Sequence, residues 1–354
     1  MITPTPKQAA AIKTIVNRIK NGEQVSVLQG VAGSGKTVAQ NIILKELGYP
    51  KESVIYSSFT GSATKLLKDR GLNAVTLHSL LFNPVPRIRG GFIFKEKPKS
   101  RFEKYRLIVV DEFSMMTQPM LEALIRTEVP LLLIGDSEQL PPIGQVNKLI
   151  NHYDVFLDEP LRQALDNPIV WAANAVRNNQ DLKNGEYGIL QISNLEEIHN
   201  IEINESFNSL CRTNELKYWL NQISIKRNFP QKNDRIIFNK NDFQKKITNG
   251  TITHIKAISR PMGKDKNVYY LNVSNDANRN LAMYKAVFQE KAGLGPQTFD
   301  LAYAMTVQKA QGQTFDSPGI FYDTSSTKSN FSKKMIYTAL TRFTGNYPVY
   351  WLRK

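Results

Sequence analysis

The octet Gly30-Val31-Ala32-Gly33-Ser34-Gly35-Lys36-Thr37 fits the pattern GxxxxGK[ST], and few strings this short narrow the possible folds so far. Its glycines let the backbone turn sharply and wrap N–H groups around phosphates, while Lys36 brings charge and Thr37 a hydroxyl for Mg2+. Such a loop belongs between a strand and a helix, and the flanking residues supply both. Val25-Ser26-Val27-Leu28 is a short apolar run, and Val38, Ile42, Ile43 and Leu47 recur at helical spacing behind the loop. Gly48 can take a positive φ at the helix C-terminus, and Pro50 forbids continuation. The pattern implies an α/β fold that accepts a nucleoside triphosphate.

Four runs, residues 25–29, 54–59, 107–112 and 131–136, are apolar on both faces, as strands buried in a parallel sheet must be. Polar residues gather at their carboxyl ends, where open α/β sheets bind ligands: Gly30 onward, Thr60, Asp111-Glu112 and Gly135-Asp136. Asp111 and Glu112 point to different sides of their strand and can take different jobs. Asp111 is the candidate for holding Mg2+, and Glu112 for orienting and deprotonating an attacking water. Gln139, held by Pro141-Pro142, is a neutral group able to sense a γ-phosphate.

At about 100–200 residues per domain, 354 residues suggest two or three domains. Lysine and arginine outnumber aspartate and glutamate 46 to 31, and the net charge of +15 suits a polyanion such as nucleic acid, or else a basic, well-solvated surface. No apolar stretch approaches the roughly 20 residues that cross a bilayer, and the first residues carry no secretory signal, so no membrane partner and a cytoplasmic location are expected. The one cysteine, Cys211, excludes an intramolecular disulfide and reads as a buried small hydrophobe.

Residues 82–105 interrupt the α/β rhythm. Within them Arg87 to Phe94 reads as a β-hairpin closed by Gly90-Gly91, which sets Arg89 opposite Phe92 and Arg87 opposite Phe94. That face suits phosphates and exposed bases; alternatively the phenylalanines pack on the parent domain and the arginines are solvated. A helix through Ile169, Ala172, Ala173 and Val176 precedes a second α/β block after residue 185. A second insertion, 251–299, holds a strand-like run from Val268 to Val273 and a helix-like run from Leu281 to Glu290.

Taken in order, these strings resemble the superfamily-one helicases of the 5′→3′ branch, particularly RecD-like and phage Dda-like enzymes, over nearly the whole chain. Gln8 in Thr5-Pro6-Lys7-Gln8 looks like the family's adenine-reading glutamine. Ser58-Phe59-Thr60-Gly61 matches a DNA-contacting motif, with Phe59 where proline is more usual, and Thr76-Leu77-His78-Ser79-Leu80 is similar to a second. For His78 a core role is the alternative. Leu161-Arg162-Gln163 resembles the fourth motif, whose arginine reaches the γ-phosphate. Tyr337-Thr338-Ala339-Leu340-Thr341-Arg342 resembles the sixth, with Arg342 as arginine finger. The segment from Ala302 to Thr314 resembles the fifth, which puts Thr306 and Gln308 near DNA and Gln311 and Gly312 near nucleotide. Gln308 stands where histidine is usual, and Gln311-Gly312-Gln313-Thr314 is closer to Pif-type helicases.

The resemblance implies two RecA-like P-loop domains: 1A over 1–81 and 106–185, and 2A over 186–250 and 300–354. Residues 82–105 would be the 1B pin, a wedge bearing Arg87, Arg89, Phe92 and Phe94, and 251–299 a β-rich, SH3-like 2B domain. It further implies ATP and Mg2+, single-stranded DNA and its junctions with duplex as partners, a replisome or recombination protein as another, and a monomer in the cytoplasm of a bacterium or phage-infected cell. The activity implied is 5′→3′ DNA unwinding, with an RNA helicase or RNA-remodelling ATPase as the alternative.

Overall fold

The computed structural model describes residues 3–86, 92–142, 144–161, 164, 166–227, 229–242, 244–259, 268–275, 279–288, 297–325 and 329–354. They form two compact units. The first comprises Met1–Phe59, Ala63–Leu182 and Lys328–Thr341, and the second Thr60–Ser62, Lys183–Thr327 and Arg342–Lys354.

The first unit is built on strands β1 (Val25–Gly30), β2 (Val54–Ser58), β3 (Ala74–Thr76), β6 (Leu107–Asp111), β7 (Leu131–Gly135) and β8 (Val155–Leu157). They make one parallel sheet in the order β3-β2-β6-β7-β1-β8. The period of two along each strand feeds two cores. Leu28, Leu107, Val109, Leu132 and Ile134 pack beneath α1 (Pro6–Lys20) and α2 (Lys36–Leu47), through Ile12, Ile15 and Ile43. Val27, Ile108, Val110, Leu131 and Leu133 pack on the other face with Leu77 and Leu80 of α4 (Leu77–Leu81), and with Leu121 and Leu124 of α5 (Gln118–Ile125). Each such side chain stabilises the fold by about 1.5–3 kcal/mol through burial, which is why the strands read as continuous apolar runs. Helix α3 (Gly61–Asp69) follows β2, and α6 (Pro168–Arg177) follows β8. Helix α1 starts at a capping box in which Thr5 and Gln8 satisfy each other's backbone N–H groups, with Pro6 at N1. Helix α2 ends at Gly48, whose φ of +64° closes the last turn.

Strands β4 (Phe82–Pro86) and β5 (Phe92–Glu96) form a separate antiparallel pair, and here the register corrects the sequence reading. Phe94 lies opposite Pro84, and Phe92 opposite Pro86, not opposite Arg87 and Arg89. The register brings Val85 opposite Ile93, an apolar pair that a two-residue turn would have separated. Arg87, Arg89 and the Gly90-Gly91 turn lie outside the described residues.

In the second unit, β9 (Gly185–Tyr187), β10 (Leu190–Asn194), β11 (Asn208–Cys211), β18 (Ala304–Thr306), β19 (Gly319–Asp323) and β20 (Val349–Arg353) form a sheet in the order β18-β11-β19-β20-β10-β9, parallel except for β9. Helices α7 (Asn214–Ile225) and α8 (Val307–Ala310) belong with it. A third sheet, in the order β13-β12-β17-β16-β15-β14, contains β12 (Arg235–Phe238), β13 (Ile252–His254), β14 (Ala257–Ser259), β15 (Val268–Ser274), β16 (Asn280–Phe288) and β17 (Thr298–Leu301). The expected edge at 251 therefore falls inside this sheet, because β12 is one of its strands. The helix expected from 281 is strand β16, paired antiparallel with β15. Buried Tyr284, Ala286 and Phe288 alternate at the strand period and join one core with Tyr269, Leu271 and Val273. Helix α9 (Asn330–Leu340) lies between β19 and β20 in sequence yet belongs to the first unit, where it packs on α6. Among the described residues, no helix is long and apolar enough to cross a membrane.

Candidate active site

Three adjacent strands, β6, β7 and β1, end side by side at the carboxyl edge of the first sheet, about 4.8 Å apart. This sheet order brings together residues far apart in sequence: the phosphate loop after β1, Asp111-Glu112 after β6, and Asp136 after β7. Gly35 is the N-cap of α2 at φ +83°, and no side chain caps the helix. The first N–H groups of α2 thus meet no capping oxygen, the arrangement that receives phosphate at a helix N-terminus. Gly33 at φ +77° has no room for a side chain, since a Cβ would stand 2.6 Å from Ala164 Cβ. Val31 and Ser34 are buried, so only their backbone can face a ligand, whereas Gly33 and Thr37 are exposed and Ala32 half-buried.

Lys36 Nζ donates to the carbonyls of Gly30 at 2.7 Å and Val31 at 3.0 Å, and stands 3.9 Å from the Asp136 carboxylate. Asp111 accepts from the Glu112 N–H at 3.0 Å. Burial, and then the neighbouring charge of Glu112, push the Asp111 carboxyl up to about 6, against a smaller pull from Lys36. Glu112 itself sits at φ +54°, a left-handed conformation that costs a non-glycine residue about 1 kcal/mol or more and turns its side chain away from the strand line. Gln139 is 5% exposed, and its N–H donates to the Asp136 carbonyl at 3.2 Å.

Asp136 has no exposed surface, and the sequence placed it at a strand end without giving it a role. The signal for it was present: a carboxylate directly after Gly135, at the carboxyl end of an apolar strand. Its Oδ1 accepts from the Glu138 N–H at 3.0 Å, and its Oδ2 from the Tyr337 hydroxyl at 2.7 Å.

Gln8, to which the resemblance gives adenine reading, is held within the chain. Its Oε1 accepts from Thr5 N–H at 3.0 Å and its Nε2 donates to the Ser34 carbonyl at 2.9 Å, so both ends of the amide are engaged within the chain and tie α1 to the phosphate loop. Arg162 lies outside the described residues.

The candidate DNA contacts divide. Ser58 is fully buried with its hydroxyl 2.9 Å from that of Thr64, which leaves its backbone as the group that could meet a strand of DNA. Phe59 is 37% exposed, and the Thr60 hydroxyl is 3.2 Å from that of Ser62. Thr76 caps α4 through the Ser79 N–H. His78 is half-buried between Phe82 and Phe94, with ring centroids at 5.0 and 4.4 Å, and burial lowers its pKa. Of Phe92 only the backbone is described.

In the second unit, Thr306 caps α8 through the Lys309 N–H, Gln308 is half-buried and Gln311 buried, and Gly312 sits at φ +73°. Arg342 is 5% exposed and donates to the Gln313 carbonyl at 3.3 Å. Beside them Lys217 and Asp300, both buried, pair at 2.8 Å, and burial pushes Lys309 down to about 8.

A family model described as an AAA domain matches residues 3–200. The chain belongs to this AAA-domain family. Among relatives of this AAA-domain chain, an uncharacterized protein of Acanthamoeba polyphaga mimivirus is 31% identical over 190 residues, covering 45% of this chain and 38% of that protein. The ATP-dependent DNA helicase dda of Enterobacteria phage T4 is 29% identical over 189 residues, covering 50% of this chain and 43% of that protein. The matches thus span less than half the length of these relatives. Among solved structures, the Pif1 helicase from Bacteroides in complex with ADP-AlF3 and ssDNA shares the fold, with a TM-score of 0.61 at 20% identity over 99% of this chain and 92% of that one. The resemblance to Dda-like and Pif-type helicases read from the motifs is borne out, and with it a fold of two RecA-like units.

Proposed function

We propose that this chain is an ATP-driven motor that moves 5′→3′ along single-stranded DNA and separates duplex ahead of it. The observation that carries the reading is the convergence, at the ends of β1, β7 and β6, of an uncapped helix N-terminus, Lys36, the Asp111-Glu112 pair and the Asp136–Gln139 turn. That set can bind a triphosphate and hydrolyse it. Backbone N–H groups of the phosphate loop take the phosphates, and Lys36 leaves its carbonyl partners to meet them. Glu112 accepts the proton of the attacking water, and Gln139 contacts the γ-phosphate. By the same resemblance, Arg162 and Arg342 are the candidate cationic groups for the charge of the transferred phosphoryl group.

Mg2+ fits the residues present. Burial, and then the charge of Glu112, raise the proton affinity of Asp111, which marks a site wanting positive charge. Among the described residues no group of three or more His, Cys, Asp or Glu forms a cage, so the ion would be shared between Thr37, Asp111 and the phosphates of the substrate. When bound it neutralises charge developing on the transferred phosphoryl group.

DNA as the track is supported by the relatives, one a DNA helicase and another solved with ssDNA, and by the net charge of +15. Residues 82–105 would act as the wedge, residues 235–301 as an accessory module, and a monomer suffices for the cycle. The test is strand separation on matched duplexes with a 5′ or a 3′ tail, in DNA and RNA, with Lys36→Ala as control. Opening of the 5′-tailed DNA alone, lost in the variant, is expected. Opening from the 3′ tail, or of RNA alone, overturns the polarity or the substrate.

A further inference from the structure

Helix α9 holds the turn that carries Gln139. Tyr337 is 1% exposed, and its hydroxyl accepts from the Ala32 N–H of the phosphate loop at 2.6 Å while donating to Asp136 Oδ2 at 2.7 Å. Thr338, 0% exposed, accepts the Leu140 N–H through Oγ1 at 2.9 Å. Lys334, one turn earlier on the same face, donates to the Ser137 carbonyl. One helix face therefore meets the turn at its first residue, its second and its last N–H, because Pro141 and Pro142 carry none. Burial, and then the charge of Asp136, push the Tyr337 phenol well above its ordinary pKa, so it stays a donor to Asp136 at any working pH.

We propose that Tyr337 and Thr338 are positioning residues of the ATP site, holding the 136–140 turn against the phosphate loop so that Gln139 meets the transferring phosphate. The proposal rests on the ATPase reading above. Neither residue touches substrate. The Ala32 N–H has one hydrogen to give and gives it to Tyr337, while the N–H groups from Gly35 into α2 remain for phosphates. Removing the hydroxyl thus acts on the chemical step and leaves ground-state nucleotide binding in place.

Tyr337→Phe keeps the ring, and Thr338→Val keeps the shape. Each is to be compared with wild type for DNA-stimulated kcat and KM, for ADP affinity, and for amide hydrogen exchange at 30–37 and 136–140. The expected result is a fall in kcat of about tenfold or more with ADP affinity within about threefold, the signature of misplaced rather than missing groups. Exchange should quicken at Ala32 in the first variant and at Leu140 in the second. Unchanged kcat overturns the proposal, as does an equal loss of ADP binding and kcat with exchange raised throughout the chain. A wild type without ATPase sinks the functional reading instead, and the two exchange sites then still decide whether the brace exists. Should Tyr337→Phe not fold, Thr338→Val carries the same readouts.

Discussion

Asp300→Asn in the second unit removes one charge from a buried pair and leaves its shape intact. Lys217 and Asp300 have side chains only 11% and 6% exposed and meet at 2.8 Å, so their Coulomb attraction is about 6 kcal/mol at an effective dielectric constant of about 20. Most of this offsets the cost of taking both ions out of water. The variant forfeits the attraction but keeps the cost for Lys217, and it also removes the carboxylate that favours the charged form of Lys309. A loss of about 3–5 kcal/mol is expected. Lys217→Met combined with Asp300→Asn removes both ions, and its loss relative to wild type should be only about 1 kcal/mol. Urea unfolding followed by tryptophan fluorescence suits the measurement, because Trp219 and Trp351 lie in this unit and Trp219 shares α7 with Lys217. A loss below about 1 kcal/mol for Asp300→Asn, or a double variant no more stable than the single one, would refute the reasoning.

Glu112→Gly should raise stability by about 1 kcal/mol by relieving the positive φ while abolishing ATP hydrolysis; a less stable variant in thermal unfolding contradicts the strain. Lys309 has a folded pKa lowered from 10.5 to about 8, chiefly by burial. Between those values the unfolded chain binds the extra proton, so stability should rise with pH from about 8 upward, and the wild-type curve should show this rise relative to Lys309→Met. Parallel curves would count against the burial of that ammonium. Cys211 is fully buried with its thiol pushed up to about 12, so iodoacetamide at pH 8 should label it only in urea; rapid labelling of the native protein would show the site open.

The first sheet was legible because strands buried on both faces write themselves as unbroken apolar runs, with polar groups gathered at the ends where sheets of this kind bind ligands. The hairpin register was not, since Gly90-Gly91 offers a tight turn locally, whereas the observed pairing sets Val85 opposite Ile93. Residues 281–288 carry apolar side chains at both helical and strand spacings, with Leu281, Tyr284 and Phe288 fitting one and Tyr284, Ala286 and Phe288 the other. Their partner β15 settles the choice, and pairing is a property of two segments rather than one. Tyr337 was quoted within a motif but given no task, because its partners Asp136 and Ala32 lie 201 and 305 residues away along the chain.

The placement of α9 has a consequence for the order in which the chain is made. On the ribosome, β1, β6 and β7 emerge early and can pair while synthesis continues, yet the helix that pins the 136–140 turn follows only after β19. A nascent chain stopped at residue 182 would present a phosphate loop with the Ala32 N–H unanswered and Asp136 without its phenol donor. Nucleotide could bind such an intermediate long before it could be turned over. On the proposed ATPase reading, an unfinished chain would hold nucleotide without consuming it.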